Sequence, residues 1–137
     1  MEKIHTTNYY DTFIEIAEDS PIDFAEIPLN IKPTVASLQY DMVSKNPYLY
    51  TSDEVIFKIH ALKNDISEQE REEANKQFFS KGQPCFRASA LGKRYGFGIH
   101  YNEEGKMALY GAETIEYKKY LEDETVKKLK AMRSKKK

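Results

Sequence analysis

The sequence predicts an α+β fold: one domain, with helices packed on one face of a mainly antiparallel sheet. Three observations predict it. Strand-like and helix-like stretches succeed one another irregularly, without the βαβα rhythm of a parallel sheet. Two short alternating stretches, residues 96–101 and 106–110, flank the turn Asn102-Glu103-Glu104-Gly105 and read as a β-hairpin. The chain has 137 residues, 40% of them apolar and 31% charged, which suits a single domain with a sufficient core.

Each element has its own signal. Thr12 to Ala17 predicts a strand with Thr12, Ile14 and Ile16 on one face, stopped by Asp19-Ser20-Pro21. Pro21 to Lys32 reads as extended. Pro33 opens a helix whose apolar stripe is Val35, Leu38 and Met42, and Asn46-Pro47 closes it. Thr51 and Glu54 have capping-box spacing. The run behind them is β-branched and aromatic, with Val55, Phe57, Ile59 and Ala61 in alternation, and predicts a turn of helix at most and then a strand. Ser67 to Lys81 is the clearest helix, with Ser67 and Glu70 as a second capping box, Ala74 and Phe78 on one face, and Gly82 as its stop. In the hairpin, Gly105 takes the left-handed position. Beyond Gly111 the stripe Tyr117, Tyr120 and Leu121 predicts a helix, and Val126 and Leu129 begin another.

Net charge is −1, but it is unevenly placed. Residues 127–137 hold seven Lys and Arg and no acid, leaving 14 basic and 22 acidic residues in 1–126. The chain therefore divides into a body, 1–126, and a basic C-terminal tail, 127–137. An acidic body repels polyanions unless positive charge is concentrated locally. The single cysteine, Cys85, forms no intrachain disulfide, and one Cys with three His makes no cysteine-rich zinc site. No stretch has the length of a membrane span, and residues 1–10 lack an apolar signal core. A cytoplasmic protein without a membrane partner, metal or cofactor is the expectation.

Four blocks carry a resemblance: His5-Thr6-Thr7-Asn8-Tyr9, Thr51-Ser52-Asp53-Glu54-Val55, Phe78-Phe79-Ser80-Lys81-Gly82-Gln83-Pro84-Cys85 and Lys93-Arg94-Tyr95-Gly96-Phe97-Gly98-Ile99-His100. In that order they resemble an uncharacterised, mostly bacterial family of short proteins catalogued as a domain of unknown function. The resemblance spans nearly the whole chain and implies a single domain. It implies no activity.

The densest chemistry lies in Gln83 to His100, where Gly92, Gly96 and Gly98, with Gly82 just before, surround Cys85, Arg87, Ser89, Lys93, Arg94, Tyr95 and His100. Glycines let a backbone approach a ligand, and Lys93 with Arg94 suits an anion. The plain alternative is that Gly96 and Gly98 serve close strand packing and the charges are solvated. The segment is neither a phosphate loop nor a dinucleotide fingerprint, because the Ser or Thr after Lys and the third glycine are missing. The leading expectation is a non-enzymatic binding or accessory domain. Its contact residues would be Arg87, Lys93, Arg94, Tyr95 and His100, and its partner a small anion or another protein. The alternatives are a small enzyme, with Cys85 as nucleophile, His100 as base and Arg87 as anion partner, and a nucleic-acid-associated protein using Lys93, Arg94 and the tail. The last stands behind the others because the tail lacks aromatic interleaving. The acids Asp53-Glu54 and Glu68 to Glu73 are explained by helix N-termini.

Overall fold

The computed structural model describes residues 5–28 and 33–133. The stretches 1–4, 29–32 and 134–137 lie outside it, and with them the end of the expected extended segment and the last residues of the tail. The elements in chain order are β1 (Thr12–Glu15), α1 (Val35–Lys45), α2 (Ser52–Lys63), α3 (Arg71–Phe78), α4 (Ala90–Lys93), β2 (Phe97–Tyr101), β3 (Met107–Gly111), α5 (Ile115–Glu122) and β4 (Lys127–Lys130).

Four strands form one mixed sheet in the order β3-β2-β1-β4. β2 pairs antiparallel with both β3 and β1, and β4 lies parallel to β1. The alternation of each strand divides the sheet into two faces. Ile14, Phe97, Ile99, Tyr101 and Met107 point into the main core, where Val43 of α1, Val55 and Ile59 of α2, Phe86 and Leu91 meet them. Phe13 points the other way and packs with Tyr117 of α5 and Val126. The α+β class holds. Helices α1, α2 and α4 cover one face, and α5 covers the other.

Local chemistry explains where the helices begin. Thr34, one residue after Pro33, is the N-cap of α1, and it exchanges hydrogen bonds with Ser37. Thr51 and Glu54 complete the expected capping box of α2. Behind that box the expected strand is corrected: residues 52–63 are one continuous helix. Val55 and Ile59 belong to the main core, while Phe57 and Ala61 belong to a separate cluster with Phe79. The Ser67–Lys81 stretch begins as a 3-10 turn, Glu68–Glu70, and becomes α-helical only from Arg71 to Phe78. Ser67 spends its hydroxyl on the Glu70 carboxylate (2.8 Å) instead of capping the backbone.

The hairpin forms as expected. Gly105 has φ +81°, and the Asn102 side chain accepts from the N–H groups of Glu104 and Lys106. The helix expected to begin at Val126 and Leu129 does not form. Lys127–Lys130 is instead the edge strand β4, so the basic segment contributes directly to the sheet.

Candidate functional site

The segment from Gln83 to His100 begins as a strap held at both ends. The Gln83 side chain donates to the Phe78 carbonyl (2.7 Å), and fully buried Phe86 anchors a 3-10 turn, Phe86–Ala88. Ser89 then caps α4 by accepting from the Leu91 N–H (3.1 Å), and its own hydroxyl donates to Gln39 of α1 (2.6 Å). Both partners of that last bond are buried.

The strap, α1, α2 and Phe78 line an open cavity of about 440 Å³. Ile56, Ile59, Phe78, Pro84 and Ala88 give it apolar walls, and Gln39, Ser89, His60 and Cys85 supply polar atoms. The Gln39 carbonyl oxygen is engaged by Ser89. Among the described residues no acceptor takes up its amide N–H groups. Cys85 is half-buried, with its Sγ 3.2 Å from the Tyr9 hydroxyl. Burial, and then the contact with Cys85, pushes the Tyr9 phenol up to about 12.

The five residues expected to bind have partners of their own elsewhere in the fold. None of them lines this cavity. Arg87 is tied to the C-terminal strand: its Nε donates to the Lys130 carbonyl (2.8 Å), and its own carbonyl accepts from the Met132 N–H (2.7 Å). Lys93 and Arg94 end α4. Tyr95 packs against the main core, and its carbonyl accepts from the Glu26 N–H (2.8 Å). His100 points to the opposite face of the sheet, so it stands apart from Cys85 and the two do not form a nucleophile–base pair. The glycines obey the plain reading. A side chain on Gly96, at φ +75°, would collide with the Phe24 carbonyl oxygen, and one on Gly98 would meet Phe13 and Tyr117 at 2.6 Å.

His100 has its own surroundings, which sequence patterning missed. Its Nδ1 lies 2.8 Å from the Tyr48 hydroxyl, which is also 2.9 Å from Tyr110 and 3.2 Å from Tyr120. Its ring stacks on Tyr120 at 4.1 Å. Tyr48 reaches this face because the loop after α1 pairs with the edge of β3: the Tyr48 N–H donates to Met107 O and the Met107 N–H to Tyr50 O. The cost is a left-handed backbone at Tyr48, φ +59°, uncommon for an aromatic residue. Burial lowers the His100 pKa, opposed by Asp11 and Asp123. It raises the Tyr48 pKa, as do the bonds to Tyr110 and Tyr120. One arrangement that satisfies all three contacts has a neutral imidazole, with Tyr48 donating to Nδ1 and accepting from the other two phenols.

Over residues 4–137 the chain matches a family of unknown function (DUF6157). The chain belongs to that family. No curated protein and no solved structure matches it. The resemblance to a family of unknown function seen in the sequence is thereby established, and the match covers every described residue. Among the described residues, no helix is long and apolar enough to cross a membrane, and no three His, Cys, Asp or Glu side chains are grouped to hold a metal.

Proposed function

We propose that the protein is a non-enzymatic binding domain for a small, largely apolar molecule carrying one hydrogen-bond acceptor. The site is the cavity between α1, α2 and the strap Gln83–Ala90. The observation that carries the reading is the cavity itself: about 440 Å³, apolar on most sides, with the amide of Gln39 held in place by Ser89. Ligand sites have this composition, with few polar groups fixed on an apolar surface. Gln39 would orient the ligand's acceptor, while Ile56, Ile59 and Phe78 enclose its body. The reading keeps the contact region at the strap, as the sequence suggested, and moves it to the neighbours of Cys85. The Cys85–His100 enzyme has no support in this geometry.

Cys85 serves as a reporter. An NMR fragment screen should yield apolar carbonyl or amide compounds that shift the Ile56, Ile59 and Ala88 resonances and slow alkylation of Cys85. Ala88→Phe, which fills the cavity, should abolish both effects while the protein remains folded. Fragments that bind Ala88→Phe as tightly as the parent, with the same protection of Cys85, would place the site elsewhere.

A further inference from the structure

A second cavity, of about 510 Å³, opens on another side of α2. Its floor and walls include Phe57 and Phe79, with Tyr50, Lys58, Arg71 and His5 around them. Arg71 stands where the 3-10 turn becomes α3. Its Nε is buried and has no hydrogen-bond partner among the described residues, and no carboxylate there forms an ion pair with its guanidinium. Guanidinium does not give up its proton, so Arg71 stays cationic at the cavity wall. A buried charged donor left unmet is costly to the fold.

Two acids, Asp53 and Glu54, also line the cavity, and both already accept hydrogen bonds. Asp53 accepts from the Thr7 N–H, the Thr7 hydroxyl and the Thr6 hydroxyl, each at 2.7 Å. Glu54 accepts from the Thr51 N–H (2.9 Å) as the return bond of its capping box. Lys58 is a second cation; its Nζ lies 5.2 Å from the centre of the Tyr50 ring and 3.5 Å from that hydroxyl. The two carboxylates offset the two cations in formal charge, but neither Lys58 nor Arg71 forms an ion pair among the described residues, and both adjoin aromatic surface.

We propose that this second cavity binds a small aromatic oxyanion, with the carboxylate or phosphate held by Arg71 and the ring laid against Phe57 and Phe79. Arg71 offers the planar fork that such oxyanions fit, and Lys58 adds a point charge. The site is separate from the apolar cavity and does not depend on it.

The test titrates the full chain with phenyl phosphate, benzoate, inorganic phosphate and phenol, following the Arg71 Nε–H cross-peak by NMR and affinity by calorimetry. Phenyl phosphate or benzoate should move the cross-peak saturably. Inorganic phosphate should bind more weakly, and phenol should leave the cross-peak in place. Arg71→Leu should weaken the anion about tenfold or more, the loss expected for a charge-assisted hydrogen bond, without lowering Tm, since an unmet buried donor is removed. Should Arg71→Leu not fold, Arg71→Lys keeps the charge without the fork and should still weaken binding. The proposal is overturned if neither anion moves the cross-peak, or if the folded Arg71 variant binds phenyl phosphate and benzoate as tightly as the parent.

Discussion

At the scale of single residues, the most constrained side chain is Tyr48. Its backbone is left-handed, and its hydroxyl is the junction of His100, Tyr110 and Tyr120. Such a conformation persists only where the surroundings enforce it, and here three phenol and imidazole contacts and a main-chain bond to Met107 do so. Tyr48→Phe should cost about 1–3 kcal/mol in urea unfolding, because it removes the junction and leaves half-buried partners unsatisfied. A variant as stable as the parent would show that the network is incidental. The same network sets a pH dependence. The folded His100 has a pKa lowered from 6.5, chiefly by burial. Below 6.5 the unfolded chain therefore takes up a proton that the folded one resists. This contribution is complete above 6.5, is lost as pH falls below it, and levels off once the folded imidazole also protonates. His100→Asn should flatten that part of the stability profile. An unchanged slope would assign the acid sensitivity to other groups.

At the scale of elements, α2 shows why a correct local signal was joined to a wrong one. The capping box at Thr51 and Glu54 was legible because it is a contact between near neighbours. The strand expected behind it came from the alternation of Val55, Phe57, Ile59 and Ala61. That alternation is real, but its origin is helical. Val55 and Ile59 are four apart and face the main core; Phe57 and Ala61 are four apart and face the cluster with Phe79. The two sets are offset by two residues, about 200° around a helix, and so lie on nearly opposite sides. A helix packed on both sides imitates the period of a strand. The glycine-rich stretch misled in a related way. Its glycines look like ligand contacts, yet Gly98 makes room for Phe13 and Tyr117 across the sheet. Tyr48 had no sequence signal, because its partners come from β2, β3 and α5. The two-sided packing of α2 has a measurable consequence. Ile59→Ala should cost about 2–5 kcal/mol and Phe57→Ala about 3–5 kcal/mol, as for buried large-to-small changes. Because the two residues sit in different clusters, the double variant should show the sum within about 0.5 kcal/mol. A strong coupling between them would mean that the clusters act as one core.

At the scale of the whole molecule, the C-terminal segment is where charge and architecture meet. Its composition suggested a tail, but β4 is bound into the sheet by long-range contacts that composition does not report. The Lys127 N–H donates to Asp11 O and the Ala131 N–H to Glu15 O, both at 2.8 Å, and buried Ala131 joins the main core. The lysines suit an edge strand, where charge discourages pairing with another chain. Lys130 and Arg133 both pair with Glu18 and hold its carboxyl well down, at about 2. These pairs are exposed, so they add little to the fold. Their share is present above the ordinary carboxyl pKa of 4.5 and is lost as pH falls toward 2. Two truncations separate the strand from its charged end. Ending the chain at Met132 removes residues 133–137 but keeps every bond of β4, so Tm should fall only slightly and cooperative unfolding should remain. Ending it at Val126 strips the parallel partner from β1, removes Ala131 from the core and frees Arg87, whose Nε and carbonyl otherwise fasten the strap to this strand. That shorter chain should lose cooperative unfolding by circular dichroism and show fast hydrogen exchange in β1. If it instead unfolds in one sharp transition with the parent's denaturant slope, the sheet is complete without β4, and the basic segment is the tail that its composition suggested.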